Sequence, residues 1–182
     1  MATELGDDLI IVNDFETCGL DEQKSTIIGY GMRIVDPYTL ETIRSDSYKA
    51  KPQFPVSEGA KAVNGYTEKE WERALWPKEA LERYRDFKGD VKQFASWNTW
   101  FDRRHLEAEA RRLGFDIGLD YHTIDIVAIF REKMWRSGRR LERFSLDQAA
   151  LVLGLEPEAK PHLPLQGVDK ALEVWRKLRS MS

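Results

Sequence analysis

The sequence predicts an α/β fold, a mixed sheet flanked by helices, and three observations carry that expectation. The first quarter of the chain holds three short apolar or alternating runs separated by turn residues. Beyond residue 67 the apolar spacing changes to the helical period, and one more short apolar run, at 91–97, lies between two helical stretches. Strands joined by tight turns make a meander, and a later strand set among helices joins the same sheet with the helices covering its faces.

The elements follow in order. Residues 9–12 (Leu-Ile-Ile-Val) are a β-branched run bounded by polar residues, so they read as a buried strand with Asp14 and Glu16 directly at its C-terminal end. A turn at 18–25 leads to a second strand at 26–35, closed by Asp36-Pro37, and alternation at 41–50 gives a third. Thr67-Glu68-Lys69-Glu70 has the form of a capping box and opens a helix that Pro77 interrupts, with a second helical piece over 78–87. After the strand at 91–97, residues 102–113 form a helix with Leu106, Ala110 and Leu113 on its inner face and Gly114 as its stop. A further helix covers 124–135. Ser145 caps the next, whose face is Leu146, Ala149, Ala150 and Leu153, and Gly154 closes it. The last, over 167–178, buries Val168, Leu172 and Trp175. With no repeat, low-complexity tract or linker, the expectation is one domain over 1–182 with its core at 8–178.

Composition narrows the function classes. A chain of 182 residues that is 42% hydrophobic can bury one good core but not two. The net charge of −3 argues against a protein that coats nucleic acid nonspecifically, which needs a basic excess. It does not argue against a nuclease, because metal-binding carboxylates count as negative in the sum and are overcompensated once dications bind. A single cysteine, Cys18, excludes an internal disulfide and a multi-cysteine zinc site. No secretory leader pattern and no apolar run near the roughly 20 residues of a membrane span occur, so the expectation is a soluble, cytoplasmic protein with no membrane partner.

Four carboxylates lie at element ends. Asp14 and Glu16 are two apart in an extended segment and so share one side of it. Asp102 begins a helix at the end of its apolar stripe, and Asp169 repeats that arrangement in the last helix. Each alone has a bland reading: a solvent-facing strand end, or an acid complementing a helix dipole. Together they suit phosphodiester chemistry, in which two divalent ions about 4 Å apart activate water and stabilise the leaving oxygen. Such hard ions want several oxygen ligands.

The segment DFETCGL after an apolar strand, WNTWFD before a helix, and FSLDQAALVLGL followed by His162 and Asp169 resemble the DEDDh 3′→5′ exonucleases. That family includes polymerase proofreading subunits, RNase T and oligoribonuclease, and its fold is ribonuclease H-like. IIGYGMRIVD is similar to the family's second strand, VNGYT to its V-x-G-I-T loop, and HTIDIVAIF to the segment before a helix. The resemblance covers nearly the whole chain in the right order. It implies a mixed five-stranded sheet, and two cations, Mg²⁺ or Mn²⁺, held by Asp14, Glu16, Asp102 and Asp169. It makes His162 the general base. It puts Thr17, Cys18, Gly19 and Leu20 in the turn that meets the terminal nucleotide, and it matches Asn98 to an asparagine before the third carboxylate. Phe101 is read as core packing, Asp125 as structural, and His105 as lying off the inward stripe of its helix.

Two features depart from the pattern. In most family members the histidine precedes the last aspartate by five residues, whereas His162 precedes Asp169 by seven, an insertion a loop absorbs cheaply. Arg131, Lys133, Arg136, Arg139, Arg140 and Arg143 make a basic stretch in an acidic chain. Arg139 and Arg140 are candidates to contact the backbone of an incoming strand, with a solvated helix end as the equal alternative.

The function expected is a metal-dependent 3′→5′ exonuclease acting on the 3′ end of single-stranded DNA, slightly ahead of RNA. The alternative is an exonuclease fold with weak catalysis, serving as a nucleic-acid-binding or scaffold module. The resemblance also admits a polymerase or other complex subunit as partner, or a second copy of the chain. Proofreading, repair, phage, RNA-trimming and CRISPR-spacer-trimming roles are not separated by sequence.

Overall fold

The structure, a computed structural model, describes residues 8–181. Its sheet has five strands in the order β3-β2-β1-β4-β5: β1 (Ile10–Thr17), β2 (Ile27–Val35), β3 (Thr42–Lys49), β4 (Gln93–Ser96) and β5 (Thr123–Asp125). The first three form the expected antiparallel meander, while β4 and β5 run parallel to β1. The six helices are α1 (Glu58–Asn64), α2 (Pro77–Lys88), α3 (Thr99–Arg112), α4 (Ile126–Arg136), α5 (Leu146–Val152) and α6 (Pro164–Arg179). The mixed five-stranded α/β fold is therefore as the sequence led us to expect.

Both faces of the sheet are covered, and β1 divides its side chains between them. Ile10 and Val12 join a cluster with Phe130, Met134, Leu172 and Trp175 under α4, α5 and α6. Ile11 and Phe15 point the other way, into a cluster with Tyr84, Phe94 and Leu106 under α2 and α3. The period of two that makes this division also fixes which face the acids of β1 share.

Several element boundaries differ from expectation. β1 runs through Thr17, so Asp14 and Glu16 lie inside the strand, paired with Gly31 and Gly29 of β2, rather than after it. Residues 67–73 form turns and no helix: Thr67 Oγ1 accepts from Glu70 N–H at 3.1 Å, but the Glu70 carboxylate bonds Lys49 instead of reaching back. Pro77 does not interrupt a helix; it occupies the first turn of α2, where its missing N–H is no loss. The first two residues of the helix expected at 124–135 belong to β5, and Asp125 is the N-cap of α4. Helix α1 was not anticipated, although both its caps are written in the sequence. Ser57 Oγ accepts from Ala60 N–H at 3.2 Å, and Gly65 closes the helix at φ 67°. Seven residues are too few to show a helical period.

Candidate active site

The site lies where β1, β4 and β5 end. On β1, Asp14 and Glu16 continue the face of Ile10 and Val12 past the edge of the apolar cluster. Two glycines of β2 make room beside them. A Cβ on Gly29 would stand 3.1 Å from Glu16 Cβ and 2.9 Å from Pro164 Cγ, and one on Gly31 would overlap the backbone of Pro164. Bare backbone at these two positions lets the first turn of α6 settle on the sheet next to the acids. Gly167, in that turn, lies against Asp14 so closely that a Cβ there would overlap the Asp14 carboxyl oxygen.

Asp102 reaches the same place from the other face. It is 5% exposed in the first turn of α3, and its Oδ1 accepts from Phe15 N–H at 3.2 Å, which ties the helix to β1 between the two acids. Asp125, at the end of β5, is half-buried with Oδ1 unpaired, and its charge raises Asp102.

Burial and mutual repulsion favour the protonated form of these groups. The Asp14 carboxyl is pushed well above the usual carboxylate range, first by burial and then by Asp102, Glu16 and Glu158. Glu16 is raised to about 7 by burial, then by Glu158 and Asp102. Burial also raises Asp102 to about 7, against the lowering effect of its hydrogen bonds. Such a set is stable with its charge neutralised, by protons or by cations.

The other expected site residues fall as follows. Thr17 and Cys18 are buried, and Thr17 Oγ1 donates to Gly19 C=O at 2.8 Å, shaping the turn. Two guanidinium groups of α3 brace that turn from below: Arg104 donates to Leu20 C=O at 2.9 Å, and Arg112 to Ser25 C=O at 2.9 Å. Leu20 projects 78% exposed at the tip. With Glu16, Val63 and Asn64 it borders a cavity of about 400 Å³. Phe101 lines this cavity too, so it is a wall residue and not the core packing expected of it. His162 lines a second cavity of about 430 Å³ in which Glu16 also takes part. The lengthened loop thus leaves the histidine beside the acids. Asn98 is exposed, and its backbone carbonyl, not its side chain, opens α3.

Two placements depart from expectation. Asp169 does not join the acids. It sits two residues beyond Gly167, about 200° round the helix, where Arg33 of β2 holds its carboxylate with two guanidinium bonds. His105 is 1% exposed rather than off the inward face, packed against Phe101 with ring centres 4.4 Å apart and the planes tilted by 46°. Arg139 and Arg140 follow α4, about 16 Å of helix from Asp125; Arg139 donates to Val152 C=O, and both lie apart from the acids. One residue escaped sequence reasoning altogether: Glu158, in the loop before α6, whose charge acts on both Asp14 and Glu16.

Comparison with known proteins identifies the family and the fold. The RNase T exonuclease family model matches residues 11–167. A PolC-type DNA polymerase III of Thermotoga maritima is 30% identical over 160 residues, covering 84% of this chain but only 10% of that protein. Exonuclease I of E. coli in complex with a dT13 oligonucleotide superposes with a TM-score of 0.82 at 15% identity, over 95% of this chain and 41% of that one. The nuclease domain of 3′hExo, a DEDDh family member bound to rAMP, superposes with a TM-score of 0.74 at 16% identity over 97% of this chain and 94% of that one. The chain spans less than half of Exonuclease I and a tenth of the polymerase it matches. This chain belongs to the RNase T exonuclease family, with the ribonuclease H-like fold of its DEDDh members.

Proposed function

We propose that the protein removes nucleoside monophosphates from the 3′ end of single-stranded nucleic acid by metal-dependent hydrolysis, with DNA slightly preferred over RNA. The observation that carries this reading is the meeting of Asp14, Glu16 and Asp102 beside an apolar cavity bordered by the exposed Leu20. A cavity bounded by a turn and a short helix suits a free terminus. The bound oligonucleotide and nucleotide in structures of the same fold point the same way.

The donor set fits hard divalent cations. It is all carboxylate oxygen, it is crowded enough to raise its own pKa values, and it includes the unpaired Asp125 Oδ1 nearby. Among the described residues no three such side chains are already drawn into a formed metal cage. Asp14, Glu16 and Asp102 would hold Mg²⁺ or Mn²⁺, which when bound offset charge on the phosphate and make water nucleophilic near neutral pH. Leu20 wedges against the terminal base, the braced turn presents its backbone to the 3′-hydroxyl, and His162 takes the proton of the attacking water.

A second reading, a binding module with weak catalysis, draws support from the engagement of Asp169 by Arg33. One experiment separates the two: digestion of 5′-labelled single-stranded DNA and RNA in Mg²⁺ or Mn²⁺. A ladder shortening from the 3′ end, absent in Asp14→Asn, is the expected outcome. An intact oligomer with both metals favours the binding module. The role of partner chains, whether a polymerase subunit or a second copy, belongs to this proposal too and is tested by the mass of the purified complex.

A further inference from the structure

We infer that Glu158, and not Asp169, supplies the fourth carboxylate of the site, standing in from the loop before α6 for a side chain that Gly167 does not carry. This deepens the proposed function and rests on it.

The geometry at Gly167 comes first. The point where its Cβ would be overlaps the Asp14 carboxyl oxygen and lies 3.1 Å from Glu158 Oε1. Two carboxylates from different segments therefore converge on one bare stretch of helix backbone. Any side chain at 167 would drive them apart.

The environment of Glu158 comes second. Its side chain is 8% exposed, with His162 Nδ1 at 3.9 Å as its one ion-pair contact among the described residues. Among those residues its carboxylate accepts no hydrogen bond. A buried carboxylate without donors is unfavourable in its charged form, and a cation shared with Asp14 would remove that cost.

The loop is also fixed rather than loose. Glu158 N–H donates to Asp147 Oδ1 at 3.0 Å on α5, and His162 N–H donates to Val63 C=O at 3.0 Å on α1. Both the acid and the histidine are delivered from anchored backbone. Asp169, by contrast, already has its countercharge in Arg33.

The test is Mn²⁺ binding, read from the electron paramagnetic resonance signal of free Mn²⁺, in the unmutated protein, Glu158→Gln, Asp169→Asn and Asp14→Asn. Thermal melting in EDTA confirms that each variant is folded; if Glu158→Gln is not, Glu158→Ala takes its place. Glu158→Gln is expected to weaken Mn²⁺ at least about tenfold, and Asp169→Asn to leave affinity unchanged. Loss of affinity in Asp169→Asn with none in Glu158→Gln overturns the assignment. Loss in Asp14→Asn alone also overturns it while leaving the proposed function standing. An unmutated protein that binds no Mn²⁺ removes both.

Discussion

At the scale of the residue, the carboxyls of the site trade protons against cations, and this sets a pH dependence whose sign can be worked out. Glu16 and Asp102 move from ordinary values of 4.5 and 3.8 to about 7 in the folded chain. Between those limits the folded state holds protons that the unfolded chain has released, so stability falls as pH rises through that window and levels above it. Glu109, raised to about 7 by burial where it accepts Ile27 N–H, adds to the same slope without touching the site. The melting temperature in EDTA is therefore expected to drop from pH 5 to pH 8, with Mn²⁺ restoring more of it at pH 8 than at pH 5. A metal-free protein that grows more stable over that range would contradict the clustering of acids. Asp14 and Glu16 were legible in the sequence because a period of two leaves them no choice of side. Asp102 was legible because it ends an apolar stripe. Asp169 misled because it too adjoins an apolar stripe, and nothing local shows that Arg33 waits opposite. The residue five positions after His162 is Gly167, and only the folded chain shows what that absent side chain lets in.

At the scale of the element, the docking of α6 on the sheet places the site. Gly29 and Gly31 stand opposite Glu16 and Asp14 in register, and Pro164 fills the space their missing side chains leave. A Cβ at 31 meets backbone, which cannot swing aside as a flexible side chain would. Gly31→Ala is thus expected to destabilise by about 1–3 kcal/mol in urea unfolding and to lower cleavage together with stability. Unchanged stability would mean that α6 is not seated as described. The long helices were readable from their periodicity and stops. The short pieces were not: α1 has caps but no measurable period, and Thr67-Glu68-Lys69-Glu70 has one half of a capping box without the helix. Its glutamate is drawn off to Lys49, a contact between segments far apart in sequence. The strand β5, three residues long, could not be distinguished from the start of the helix that follows it.

At the scale of the whole molecule, the acids gather where open α/β sheets bind ligands, at the carboxyl ends of parallel strands. β1 and β5 bring Asp14 and Asp125 to one edge, α3 brings Asp102 there after β4, and α6 packs over Asp14 on the face the two share. The fold class was legible because it depends only on the order of strands and helices, whereas the pairing of β5 beside β4 depends on contacts no local pattern encodes. The basic stretch begins within α4 at Arg131 and continues past its end to Arg143, leading away from the acids, where only a longer strand could reach it. A site bounded by the Leu20 turn and α1 should demand a free end. The direct measurement is digestion, in Mg²⁺, of a linear single-stranded DNA beside a covalently closed circle of the same sequence. The expected result is complete loss of the linear strand with the circle intact. Nicking of the circle, or survival of both, would contradict an end-dependent exonuclease.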